Sequence, residues 1–143
     1  ELPISIHCLR AWGLLHDLLK EEGCSVRGFL LHSYAGPLEM VETFVALGAR
    51  FSFSGYFASD DKSKKRAAFD RVPLDRLLIE SDAPDMLGPE ELMLEELRDK
   101  NGRPINSPLN LPRIYEYVAG MRNMSLEMLI PVVAENFETF FHR

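Results

Sequence analysis

The chain has 143 residues, 46% of them hydrophobic and 27% charged, which suits one globular unit with a modest core and is too short for two ordinary domains. No run of 18 apolar residues occurs, so no helical membrane span is encoded. Acidic residues outnumber basic ones 22 to 16, a net charge of −6 that excludes attraction of a phosphate backbone by the mean field; any nucleic-acid contact needs local cations or bound metal ions.

The opening, Glu1-Leu2-Pro3-Ile4-Ser5-Ile6-His7, lacks the basic start, apolar stretch and small-residue cleavage site of a signal peptide. It reads as a strand beginning at the first residue, as in a chain cut from something longer. Four β-like runs follow one another: ISIHC at 4–8, GFLLH at 28–32, RFSFS at 50–54 and RLLIE at 76–80, with starts 24, 22 and 26 residues apart. Helical patterns lie between them. Trp12, Leu14, Leu15, Leu18 and Leu19 form an apolar stripe closed by Gly23. Leu38, Val41, Phe44, Val45 and Leu47 form another between Pro37 and Gly48, and a basic helix carrying Ala67, Ala68 and Phe69 is expected over 61–71. Such alternation is the signature of βα units on a parallel sheet. A whole (βα)8 barrel takes about 250 residues, so the period alone reads as half a barrel or a small open α/β sheet. Beyond Glu80, a proline-rich loop or insertion over about 83–110 is expected to carry an acidic amphipathic helix at 90–100, a lid or packing helix. C-terminal helices then fill 111–142, one starting behind Ser125 as N-cap. All of this is expected to form a single partial barrel domain over 1–143. Cys8 and Cys24 make no metal-type spacing; buried free thiols are expected, which fits a reducing, cytoplasmic setting.

Three residues with ligand chemistry fall at C-terminal strand ends: His7, His32 and Asp82. Parallel βα architectures place their active sites there, and histidine with carboxylate is a usual donor set for divalent ions. Asp82 is also the candidate proton acceptor for an attacking water. Glu80, two residues earlier on the same side of the strand, is expected to orient a histidine rather than ligate. Arg10 would either pair bidentately with a phosphate or form a salt bridge on its own helix. His16 is expected to belong to the first helix and His142 to solvent. The cluster Lys62, Lys64, Lys65 and Arg66 is a solvated helix face or a nucleic-acid contact. Gly55, after Ser54, is expected to admit the close approach of a substrate or a loop. Met86, Met93, Phe137, Phe140 and Phe141 are expected to pack.

Several stretches resemble those of the TatD family of metal-dependent deoxyribonucleases. Residues 3–10, PISIHCLR, are similar to its "P-hydrophobic-x-hydrophobic-H-C-x-R" element, and His32-Ser33-Tyr34-Ala35-Gly36 to its "H-x-aromatic-x-G" element. FSFSG at 51–55 is similar to the next strand, and PLDRLLIESDAP at 73–84 to the family's most recognisable stretch, "PLDRLLLETDAP". Asn106-Ser107-Pro108 and Glu135-Asn136-Phe137 are similar to later elements. The resemblance runs in order over almost the whole chain and implies the C-terminal half of a (βα)8 barrel. It implies that His7, His32 and Asp82 ligate divalent metal ions on strands five, six and eight, with Mg2+, Mn2+ or Zn2+ as candidates. Arg10 and Tyr34 would lie near a bound nucleotide and Asn106 at the edge of the site. The implied activity is metal-dependent phosphodiester hydrolysis of DNA with 3′-exonuclease character.

The family pattern also has an H-x-H pair on strand one and a metal-bridging glutamate on strand four, and neither occurs here. The resemblance therefore implies an incomplete site, open parallel-strand edges, and pairing with a missing barrel half or self-association. Two rivals are a related barrel metallohydrolase acting on esters, lactones or cyclic amides, and a non-catalytic half-barrel that binds another chain.

Overall fold

The computed structural model describes residues 2–142. The expected strand start at Glu1 and the two ends of the 1–143 domain lie outside them. Four strands form where apolar and β-branched runs are punctuated by glycine, proline or turns: β1 (Ile4–Ile6), β2 (Phe29–Leu31), β3 (Ala49–Ser54) and β4 (Leu77–Glu80). They pair in parallel in the order β1-β2-β3-β4. With right-handed crossovers, a strictly sequential parallel order stacks successive helices on one face. That is the arc of a barrel, not a doubly wound sheet, and it decides between the two readings the period left open.

Alternation along the strands then gives two different faces. The register row Leu31, Phe51 and Leu77 is fully buried on the helix side. There Phe53 meets Phe69 edge-on at 4.9 Å, and Tyr34 meets Phe51 at 5.1 Å and Trp12 at 4.7 Å. The other face carries Ser5, Leu30, Arg50, Ser52, Leu78, Ser54 and Glu80, the row a closed barrel turns inward.

Helix α1 (Trp12–Glu22) buries Trp12 and half-buries Leu15 and Leu19, but leaves Leu14 and Leu18 in solvent. Two of the five residues of the expected stripe thus face away from the sheet. Helix α2 (Val41–Ala46) starts behind a 3-10 turn at Leu38–Met40. The basic helix expected over 61–71 is broken: 3-10 turns at Asp60–Lys62 and Ala67–Asp70 flank the single turn α3 (Ser63–Arg66). Arg66 ties this segment back by donating to the carbonyls of Phe57, Ala58 and Ser59.

The helix expected at 90–100 does not form. Glu90–Leu92 makes one 3-10 turn, and a hairpin follows, β5 (Leu97–Arg98) against β6 (Pro104–Ile105). The Asp99 carboxylate accepts the amides of Asn101 and Arg103 at 2.8 and 2.9 Å, and this local turn chemistry outcompetes helix propensity. Helix α4 (Leu111–Met121) joins the outer layer, with Tyr117 stacked 6.0 Å from Phe53. Helix α4 and the loop after β4 both come close to Gly55: a Cβ there would lie 3.0 Å from the Ile114 side chain, and a Cβ on Gly88 would lie 3.0 Å from the Gly55 carbonyl oxygen. Helix α5 (Leu126–Phe141) runs along β4, where buried Asn136 donates to the Leu74 and Leu77 carbonyls at 2.8 Å. Cys8 is half-buried and Cys24, in the turn beyond α1, is exposed, which corrects the expectation of two buried thiols. Among the described residues, no helix is long and apolar enough to cross a membrane.

Candidate metal centre

Parallel strands bring their C-terminal ends to one rim, and the ligand-type residues stand on it. His7 follows β1 and His32 follows β2 by one residue each, and Asp82 lies two residues beyond β4. The His32 amide continues the sheet ladder by donating to the Ile6 carbonyl at 3.0 Å, which holds the histidine in register with β1. Its Nδ1 is 2.8 Å from Glu80 Oε2 and its Nε2 is 3.3 Å from Asp82 Oδ1. The His7 ring centroid is 5.6 Å from that of His32. Ligand atoms of His32, Glu80 and Asp82 all lie within 4.8 Å of one another, a spacing suited to one ion.

Burial pushes the Glu80 carboxyl up from its ordinary range, while the neighbouring His32 pulls it back. Its Oε1 is buried beside Ser52 with no partner of good geometry, an orphaned acceptor of the kind that a cation or an ordered donor satisfies. Nitrogen and carboxylate oxygens with exposed space beside them fit a divalent ion of the magnesium, manganese or zinc type.

The backbone under this rim is strained. Of five non-glycine residues at positive φ among the described residues, three are here: Arg10 (60°), Ser33 (47°) and Asp82 (61°). Such conformations cost about 1–3 kcal/mol each and persist only where the surroundings impose them. For Asp82 the imposing group is Asn106. Its Nδ2 faces the carbonyls of Ser81, Asp85 and Met86 at 2.6, 2.9 and 3.2 Å, and its Oδ1 accepts from Ser107 and Asn110. The Ala83–Pro84 peptide in this turn is cis, and the Asn106 amide donates to the Pro84 carbonyl.

Asn106 sits beside the Asp82 turn, buried, with both ends of its amide engaged in holding that turn. Tyr34 is fully buried, donates its hydroxyl to the Pro37 carbonyl at 2.8 Å and packs among Trp12, Phe44 and Phe51, so it is core. Burial also drives its hydroxyl well above the ordinary tyrosine range. Arg10 stands exposed on the β1 rim and forms no salt bridge among the described residues. His16 packs edge-on to Phe44, and exposed His142 pairs with Glu138 on α5. Ser52 went unnoticed in the sequence reading: its hydroxyl accepts the Ser33 amide at 3.0 Å and lies beside Glu80. A small polar residue at an inward strand position was the available signal.

Comparisons with known proteins agree with this fold. The sequence model of a family described as TatD related DNase matches residues 1–142. The chain is 29% identical over 142 residues to the 3′-5′ ssDNA/RNA exonuclease TatD of Rahnella sp. (strain Y9602), covering 99% of itself and 52% of that protein. It is 31% identical over 140 residues to the uncharacterized metal-dependent hydrolase YcfH of Escherichia coli (strain K12), covering 98% of itself and 49% of that protein. The crystal structure of YjjV, a TatD homolog of Escherichia coli K12, superposes with a TM-score of 0.80 at 27% identity, over 99% of this chain and 51% of that one. The chain thus spans about half the length of the curated relatives it matches, and its four-stranded arc is half of a TIM-type barrel.

Proposed function

Because this chain belongs to the TatD related DNase family, we propose that it supplies the C-terminal half of a metal-dependent phosphodiesterase site acting on single-stranded nucleic acid. The observation that carries this reading is the His32 bridge, with Nδ1 on Glu80 and Nε2 facing Asp82. Glu80 accepts the Nδ1 proton and so fixes the tautomer that leaves Nε2 free to ligate. His7, His32 and Asp82 are the ligands in this proposal, and Glu80 is a positioning residue. A divalent ion held here would polarise the phosphate and acidify water. Asp82 takes the proton of the attacking water on a carboxylate oxygen, and Arg10 pairs with a phosphate oxygen. The relatives named as nucleases supply the substrate class, and the absent H-x-H pair and bridging glutamate make the site incomplete without further ligands.

A second reading, a half-barrel that pairs with another chain, is favoured by one observation. Leu2, Ile4, Leu9, Leu14 and Leu18 are all exposed on the β1–α1 side, more apolar surface than an isolated edge tolerates well.

Manganese titration by calorimetry, on the chain and on Asp82→Asn, tests the first reading. Asparagine tolerates the positive φ and removes only the charge. Binding in the micromolar range that weakens at least about tenfold in the variant is expected. Equal affinities, or no binding by either protein, would overturn the placement of the ligands. An exonuclease assay on the same samples at rising protein concentration tests the second, since a site completed by pairing gains specific activity with concentration.

A further inference from the structure

A groove of about 940 Å³ opens one residue beyond His7, and none of His7, His32, Glu80 and Asp82 lines it. Its construction follows from strand order. The β2–α2 loop, between its neighbours, provides a floor of Ala35, Gly36 and Pro37, with the β1–α1 loop on one bank and α3 on the other. Gly36 has to be bare, because a Cβ there would lie 2.6 Å from the Tyr34 ring beneath it. The floor is therefore flat.

The banks are cationic: Arg10 on one side, Lys64 and Lys65 on the other. The basic cluster around α3 divides by what each side chain does. Lys62 is held by Asp61 and lies 4.8 Å from the Tyr56 ring centroid, and Arg66 is consumed by three backbone carbonyls. Among the described residues, Lys64, Lys65 and Arg10 are exposed and have no ion pair or hydrogen bond. Glu39 is the one acidic residue lining the groove. In a chain of net charge −6, three uncommitted cations facing one groove are not the average surface. Arg10 also holds φ at 60°, a strain with no internal contact to repay it.

We propose that this groove binds the sugar-phosphate backbone of a single-stranded nucleic acid, with Arg10 on one bank and Lys64 and Lys65 on the other contacting its phosphates. The proposal rests on the nuclease reading and extends it from the cleaved bond to the strand leading away from it. Neighbouring strands lie about 4.8 Å apart, so loops two strands apart leave a channel on the order of 10 Å at the sheet. That width admits one strand and not a duplex. Exposed Leu9 and Pro37 give the bases an apolar surface, as in other tracks that read the backbone by charge.

The test is fluorescence anisotropy of a labelled oligothymidylate of about 12 nucleotides, in EDTA and low salt, so that binding is read apart from metal and cleavage. The groove variant is Lys64→Glu/Lys65→Glu, and the charge-matched control is Lys20→Glu/Lys100→Glu, also at exposed positions. The groove variant is expected to bind at least about tenfold more weakly, with a salt-dependence slope reduced by roughly 1.4 for two lost phosphate contacts. The control is expected to retain most of the affinity and the full slope. Equal losses in both variants would mean that net charge alone acts, and the proposal falls. It also falls if the wild-type chain fails to bind the oligonucleotide, or binds duplex as tightly. Failure of the nuclease reading looks different: manganese binding is then absent or indifferent to Asp82→Asn, while the groove variant still loses the oligonucleotide.

Discussion

Strands β1 and β3 both alternate serine with large apolar side chains, and their fates are opposite. Every residue of β3 is buried, between the aromatic layer on one face and the inward row on the other, and it is paired on both sides. In β1 no residue is fully buried, one edge is unpaired among the described residues, and the helix that follows buries a single side chain. The candidate centre straddles this divide. His32 follows β2, which is paired on both sides, and Glu80 and Asp82 stand on and just beyond β4, an edge strand that α4 and α5 pack against; His7 stands on the weak β1. A metal site shared between a rigid and a loosely held strand is organised on one side and adjustable on the other. This is the physical sense in which the chain carries half a site.

The comparison is broken most forcefully by removing a ring from the strong side. Phe53 is fully buried and touches Phe57, Phe69 and Tyr117. Phe53→Ala is expected to cost about 3–5 kcal/mol in urea denaturation, from lost transfer energy plus the cavity left behind. A loss below about 1 kcal/mol would show that the aromatic layer is loosely packed and the contrast with β1 unfounded.

Legibility in the sequence follows the same divide between local and distant causes. The strands and the 73–84 stretch were readable because continuous apolar runs between glycines and prolines are local signals, and so were the strand-end positions of His32 and Asp82. The burial of Tyr34 was not legible, because an aromatic two residues after a strand-end histidine looks the same whether it faces substrate or core; it depends on Trp12, Phe44 and Phe51, which come from other elements. The part Asn106 plays in holding the Asp82 turn was not legible, since its partners lie 20 to 25 residues upstream. The 90–100 stretch has a helical pattern, and only the Asp99 turn with its bond to Arg103 turns it into a hairpin. Exposure of Leu14 and Leu18 was invisible because a stripe does not say how much of it has something to cover it.

A smaller effect of opposite sign is expected at the end of β2, on the buttressed side. Ser33 holds φ at 47° and buries a hydroxyl with no partner, while its amide is satisfied by Ser52. Ser33→Gly removes the strain and the orphan together and keeps the amide bond. It is expected to raise stability by about 1 kcal/mol, read as a higher urea midpoint at unchanged slope. A loss instead would mean that the hydroxyl has a partner in solution, and that the rim is less strained than its backbone implies.

The smallest effect sharpens the contrast most. Ile4 is 49% exposed at the outer edge of β1, so truncating it removes little buried area. Ile4→Ala is expected to cost under about 1 kcal/mol in dilute solution. If the cost instead reaches the 2–5 kcal/mol typical of a core isoleucine, then Ile4 is covered by something the isolated fold does not provide. Repeating the denaturation across protein concentrations identifies that cover. A midpoint that rises with concentration in the parent chain and stays flat in the variant assigns it to a second copy on the β1 edge. His7 would then be held as firmly as His32, and the weak half of the centre would be weak only in the monomer.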